Sequence, residues 1–323
     1  MGKNESLVLE LLAYNTKQSK EFVRLEEDRK RLVRAHPTKI IAFVCMDGRI
    51  NFPLIAGLPF GVVSSFRSLG GIFDFGNSCF LETLKKSVRS SLLERRDCLL
   101  VATYHFSKGE KYRGCKAWNY NTEAAKLGAE KLCAELEKTF ASVKDKVYPV
   151  VLGIETDEDR FVIPDGVSLA KFPCAMQKDI GFILAENRKH VQNLPKRTEK
   201  EMQHSENIIA VGLGFDWIHL YNRALIIGPW RDDMETEIVS ASEIVLSNLK
   251  EGRTAEDIGA VLLCGAVSQN TTRAGLALAE KETKTLAERC QKTIASRVPE
   301  IIPYLQVFAG TTNPKTRKFS KIS

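Results

Sequence analysis

Apolar residues along this chain gather in short dense runs, separated by longer stretches where they recur at helical spacing. Residues 39–45 (KIIAFVC) are rich in β-branched side chains and read as a strand buried on both faces. Further strands are expected at 61–66, 98–104 and 147–153, with a short partner at 160–163, and helices are expected at 81–96 and 122–140. Upstream, residues 5–35 read as a helical arm whose apolar stripe is too thin to form a core alone, ended by Pro37. Strands alternating with helices imply an α/β class with a mainly parallel sheet flanked by helices.

The same order returns after residues 187–206, a charged, Pro-containing stretch that reads as a linker. Strands are expected at 207–211, 224–228, 260–266 and 304–310, and helices at 234–248 and 274–297. IIAFVCMDGR at 40–49 lines up with IIAVGLGFDW at 208–217, and VVLG at 150–153 with VFAG at 307–310. The slow drift in offset is what loop-length changes in a duplicated domain give. The expected organisation is an arm at 1–38, a first domain at 39–186, a linker at 187–206 and a degenerate second domain at 207–323, the two domains being a tandem pseudo-duplicated pair.

Composition narrows the function classes. The chain has 323 residues and a formal net charge of +7, with acidic and basic residues interleaved. That argues for a solvated, mildly basic surface and no nucleic-acid role. No apolar run approaches the roughly 20 residues of a membrane span. Eight cysteines in a chain this long do not make a dense disulfide framework, so the cytoplasm or another reducing compartment is the expected setting.

Three residues then stand out. The first strand ends in Cys45-Met46-Asp47-Gly48-Arg49, the third in Tyr104-His105, and Cys115 follows after a glycine- and lysine-containing loop. Ligands bind outside the carboxyl ends of strands in open α/β sheets. Taken singly, Cys45 reads as a small buried residue, Cys115 as a loop thiol and His105 as a core histidine. Together, with two of them at strand ends, they read as a set of metal ligands. Two thiolates and one imidazole suit zinc with its fourth position open, the pattern of a catalytic site, and cadmium would also accept them. Asp47 and Arg49 project to one side, so the guanidinium can hold the carboxylate ionised. Gly212-Leu213-Gly214-Phe215 lacks the third glycine of a dinucleotide loop, and Asp216, His219, Asp232 and Asp233 read as solvated loop residues rather than a second metal site.

At these positions residues 40–160 resemble a β-class carbonic anhydrase. Cys45, Asp47 and Arg49 match its Cys-x-Asp-Ser/Ala-Arg motif, with Gly48 in place of the small Ser or Ala. His105 and Cys115 match its His-x2-Cys motif in type and order but are separated by nine residues, an interval similar to that of the cadmium-tolerant ζ-class enzymes. Phe66-Arg67-Ser68-Leu69-Gly70-Gly71 resembles the segment between the two motifs, which implies substrate-binding roles for Gly70 and Gly71. The resemblance implies reversible hydration of carbon dioxide to bicarbonate by metal-bound hydroxide. Cys45, His105 and Cys115 would hold the metal, Asp47 would orient the hydroxide and Arg49 would hold Asp47. It also implies an arm that wraps onto a partner subunit. Leu213, Phe215, Trp217 and Val267 stand where the first half has Cys45, Asp47, Arg49 and His105, so the second half is expected to serve as a built-in partner. That gives one metal per chain and an internal pseudo-dimer, with further homo-oligomerisation open. Two other readings remain at this point: hydrolysis of carbon disulfide or carbonyl sulfide on the same scaffold, and a non-catalytic, metal-containing scaffold or interaction protein.

Overall fold

The structure is a computed structural model that describes residues 3–193, 203–220, 222–254, 259–268 and 272–322. Two five-stranded sheets carry the chain, each flanked by helices. Strands β1 (Lys39–Cys45), β2 (Ser64–Ser68), β3 (Cys98–Phe106), β4 (Val147–Glu155) and β5 (Arg160–Val162) form the first, in the order β2-β1-β3-β4-β5. All pairs are parallel except β4–β5. Strands β6 (Ile208–Gly212), β7 (Ala224–Ile227), β8 (Ala260–Val267), β9 (Leu305–Thr312) and β10 (Phe319–Lys321) form the second, in the order β10-β9-β8-β6-β7, antiparallel only at β9–β10. The two orders and strand directions are the same, so the α/β class and the duplication expected from the sequence are what the chain folds into. Nearly every residue of β1, β3, β6 and β8 is buried, as parallel strands covered on both faces require.

Ladder registers give the residue equivalence directly. Ile40 pairs with Leu99, and Leu99 with Tyr148; Ile208 pairs with Val261, and Val261 with Gln306. Following β4 and β9 forward, Ile154 pairs with Phe161 and Thr312 with Phe319. Val150 is therefore equivalent to Phe308, and Gly153 to Thr311. The letter match of VVLG to VFAG is one residue out of register, because strand pairing and not residue identity sets the ladder.

The helices differ from expectation in two places. The arm is two helices, α1 (Lys3–Arg24) and α2 (Glu26–Ala35), and they fall in different compact units. One unit is Glu26–Met202 with Trp230–Asp232; the other is Met1–Leu25, Gln203–Pro229 and Asp233–Ser323. α1 buries Leu7, Val8 and Leu11 in the second-sheet unit. There the buried Asn15 takes Phe319 N–H at 2.8 Å and gives Nδ2–H to Arg317 O at 3.0 Å, treating the β9–β10 hairpin as a strand edge. α2 buries no residue, and its Lys30 sits 2.8 Å from both Glu26 and Glu27. The second difference is at residues 187–193, expected to open a linker. They are the end of α6 (Cys174–Asn193), held by buried Asn187, which donates to Ile55 O and Asp159 O, both at 2.8 Å. Residues 194–202 of that stretch lie outside the described residues. The remaining helices are α3 (Phe52–Ile55), α4 (Ser78–Leu93), α5 (Thr122–Thr139), α7 (Met234–Lys250) and α8 (Arg273–Arg297). Among the described residues, no helix is long and apolar enough to cross a membrane.

In the second unit the positions matching Asp47 and Arg49 hold a ring cluster. Phe215, Trp217 and Phe319 are buried, with centroids 5.7–6.5 Å apart. Gly265, equivalent to Thr103, makes room: a Cβ there would stand 2.6 Å from the Phe215 ring. The Gly212-x-Gly214 turn is explained the same way, since a Cβ on Gly212 (φ +114°) would stand 2.1 Å from Gly265 O. Asp233 caps α7 through Thr236 N–H at 3.2 Å, Asp232 accepts from Asn77 Nδ2 at 2.7 Å, and Asp216 lies 3.7 Å from Arg317. Trp217→Ala empties the centre of this cluster and is expected to cost about 3–5 kcal/mol. A urea unfolding curve checks this, and an unchanged midpoint for this unit would contradict it.

Candidate metal centre

β1 and β3 lie side by side, and both deliver their chemistry at the carboxyl end. Cys45 closes β1, opposite Ser68 of β2. His105 lies on β3, one residue before its end. Gly71 (φ +68°) turns the chain after β2 in a left-handed conformation that L side chains rarely adopt, next to Thr103 O and Cys45 N. Gly70 O accepts the indole N–H of Trp118 at 2.9 Å, and a Cβ on Gly70 would stand 2.7 Å from that of Ala117. Gly70 therefore lets the β2 turn pack closely against the segment that follows Cys115, and Gly71 supplies the backbone turn beside the β1 end.

Cys45, His105 and Cys115 are all buried, and their candidate ligand atoms lie within 4.8 Å of one another. The two sulfurs are 3.9 Å apart. A tetrahedral zinc with Zn–S bonds of about 2.3 Å holds two thiolates about 3.8 Å apart, so the spacing fits. A disulfide needs about 2.05 Å, and both cysteines are free thiols. Neither Nδ1 nor Nε2 of the buried His105 imidazole has a hydrogen-bond partner among the described residues. Buried polar groups almost always have one, so an orphaned imidazole beside two thiols is the arrangement a metal would complete. The hydrogen bond from Cys115 holds the Cys45 thiol well below its ordinary range, against the upward push of burial and with help from the adjacent imidazole. Cys115 is pushed well above its range by the same bond to Cys45 and by its own burial.

Asp47 and Arg49 form a buried two-pronged pair. Arg49 Nη2 donates to Asp47 Oδ2 at 2.6 Å, and Arg49 Nε and N donate to Oδ1 at 3.1 and 2.9 Å. A second buried guanidinium, Arg67, donates from Nη2 to Asp47 O at 2.7 Å, and burial brings its pKa down to about 10. Its place in the Phe66–Gly71 segment was visible in the sequence, but its role as a clamp on the Asp47 turn was not. Trp118 and Asp157 were also missed. Asp157 lies between β4 and β5 and takes hydrogen bonds from the loop between His105 and Cys115.

No family model matches the chain. A curated relative is similar: the carboxysome shell carbonic anhydrase of Prochlorococcus marinus subsp. pastoris (strain CCMP1986 / NIES-2087 / MED4), 25% identical over 233 residues, which is 55% of this chain and 46% of the relative. The chain thus spans about half the length of the curated relative it matches. Taken with the duplicated α/β sheets and the buried Cys45–His105–Cys115 group, this distant similarity supports a carbonic-anhydrase-like chain.

Proposed function

We propose that this protein is a metal-dependent carbonic anhydrase that hydrates carbon dioxide reversibly to bicarbonate. The observation that carries the reading is the orphaned buried imidazole of His105 within 4.8 Å of two free thiols at adjoining strand ends. Cys45, His105 and Cys115 would hold the metal, with zinc favoured by the donor set and cadmium admissible. Bound there, a divalent ion supplies Lewis acidity, which brings the pKa of water from 15.7 towards about 7 and makes hydroxide available at neutral pH. Asp47 is kept ionised and fixed by Arg49, so it can only accept. It takes a hydrogen bond from the reacting hydroxyl and aims the oxygen at the substrate carbon. Arg67 holds the backbone of that turn, and Gly70 and Gly71, beside the β1 end, would border the substrate. The Asp47–Arg49 pair also favours catalysis over a purely structural site, because a metal held only for stability has no use for an oriented carboxylate.

Under this reading the second unit, with Leu213 and Val267 at the positions equivalent to Cys45 and His105, serves as a built-in partner, and each chain takes one metal. The arm lies in keeping with this, since α1 packs in the second-sheet unit of its own chain. Both thiols must stay reduced to serve, which favours a reducing compartment for the working protein. Stopped-flow hydration of carbon dioxide tests the activity directly. Running carbonyl sulfide and carbon disulfide in parallel tests the substrate: turnover of either without carbon dioxide hydration would replace the proposal.

The thiol pair adds a second check. The Cys45 thiol is held low and the Cys115 thiol high, so zinc binding has at least the Cys115 proton to displace. Zinc affinity is then expected to rise with pH, about tenfold per unit for each proton displaced. Calorimetry at pH 8 in buffers of different ionisation heat should report about two protons released per zinc, one from Cys115 and one from the water whose pKa the ion brings towards about 7. A release near zero would contradict the pairing.

A further inference from the structure

Nine residues separate His105 from Cys115, yet the two side chains meet, so something must fold the intervening loop back. We infer that Asp157 is the positioning residue that closes this loop and brings Cys115 to the metal centre; the inference rests on the metal-binding reading above.

Its carboxylate gathers the start of the loop. Ser107 Oγ donates at 2.9 and 2.8 Å to its two oxygens, and Lys108 N and Gly109 N donate to Oδ2 at 2.9 and 2.8 Å. Two successive backbone N–H groups and a hydroxyl converging on one carboxylate form an anion-holding turn. The far end of the loop is tied to the same group, with Arg113 Nη1 3.6 Å from Asp157 Oδ1. Between the two ends, Ser107 Oγ accepts Glu110 N–H at 3.0 Å, and Arg113 and Gly114 close a tight turn onto Glu110 O and Lys111 O. Gly109 is fitted to the arrangement, since a Cβ there would lie 3.3 Å from Asp157 Oδ2.

Asp157 is itself anchored to the sheet. Its N–H donates to Oε1 of buried Glu155 at 3.0 Å, and Glu155 closes β4 opposite Phe106 in the ladder. Thr156 donates from N and Oγ1 to Phe106 O at 2.9 and 3.0 Å. The end of β4 thus grips β3 just past His105 and holds the loop that returns Cys115. A short His–Cys spacing would need no such brace; the long one does, because an unbraced loop would have to be ordered each time the metal binds.

The test compares wild type with Asp157→Asn and Asp157→Ala in three readouts: zinc affinity by chelator competition, apo-protein melting temperature, and alkylation rates of individual cysteines followed by peptide mapping. The expected result is zinc affinity lowered on the order of 10- to 100-fold, as for other outer supports of metal ligands, with the larger loss in the alanine variant. In the apo protein Cys115 should alkylate faster while the buried Cys45 does not, and Asn, which keeps one acceptor, should rescue part of both effects. Unchanged zinc affinity and Cys115 protection in a folded Asp157→Ala variant would overturn the inference. So would parallel exposure of Cys45 and Cys115, which marks general destabilisation. If Asp157→Ala does not fold, Ser107→Ala, which removes only the hydroxyl tie, must show the same selective exposure of Cys115. Failure of wild type to bind zinc would sink the metal reading instead, and Cys115 alkylation would still decide whether Asp157 holds the loop.

Discussion

Cys45→Ser should abolish both metal binding and carbon dioxide hydration. A serine hydroxyl does not ionise near neutral pH, so the substitution leaves one thiol and one imidazole, too few for a stable zinc site. Structural zinc sites with their full set of four ligands bind with about 10–16 kcal/mol, so each ligand accounts for roughly 2.5–4 kcal/mol. The expected loss is on the order of 10²–10³-fold in affinity, enough to strip the metal from a purified sample and return hydration to the uncatalysed rate. Cys45 is buried at the end of β1, and serine is close to it in size, so the fold should survive. Metal analysis and circular dichroism on the same variant check both halves of the expectation. Full metal content or wild-type turnover in a folded Cys45→Ser protein would remove Cys45 from the site.

Arg49→Ala should have the largest effect on stability of any substitution near the site. Arg49 is 1% exposed and is the two-pronged partner of Asp47. Removing it leaves the Asp47 carboxylate buried beside the metal ligands without its principal counter-charge. Breaking a buried ion pair in this one-sided way costs about 3–5 kcal/mol. Arg49→Lys should recover only part, because an ammonium lacks the planar fork that meets both carboxylate oxygens. Asp47→Asn is the complementary change: it keeps a hydrogen-bonding side chain of the same shape, so it should spare much of the stability while losing the oriented acceptor. Denaturant midpoints for the three variants check the order. A shift for Arg49→Ala below about 1 kcal/mol, the value of an exposed pair, would mean the buried pairing is wrong.

How far the sequence carried the account follows from what each feature rests on. β1, β3, β6 and β8 were legible because buried parallel strands must be nearly continuous apolar runs. The duplicated order of elements was legible for the same reason. Strand register was not: the glycine shared by VVLG and VFAG suggested an alignment that the β4–β5 and β9–β10 pairings shift by one residue. The end of α6 was hidden because residues 187–193 are mostly charged or polar, and what holds them is one buried side chain, Asn187, reaching backbone more than 25 residues away in sequence. Cys45, His105 and Cys115 could be brought together on paper only by supposing that two strands were neighbours, and the ladder between β1 and β3 supplies that neighbour relation. Asp157 left no trace a reader could single out. It sits among acidic residues in a turn, and its partners are mainly backbone N–H groups that no residue type announces. Arg67 was in view, but the carbonyl it clamps is not a property of any side chain.

The most direct test of the central claim is a zinc titration of chelator-stripped, reduced protein, followed by carbon dioxide hydration at each step. The account predicts that the rate rises linearly and stops rising at one equivalent of zinc per chain, because the second unit has Leu213, Phe215, Trp217 and Val267 where ligands and their supports would stand. A rate that stays at the uncatalysed value while zinc binds, or that climbs until two equivalents are present, would contradict it.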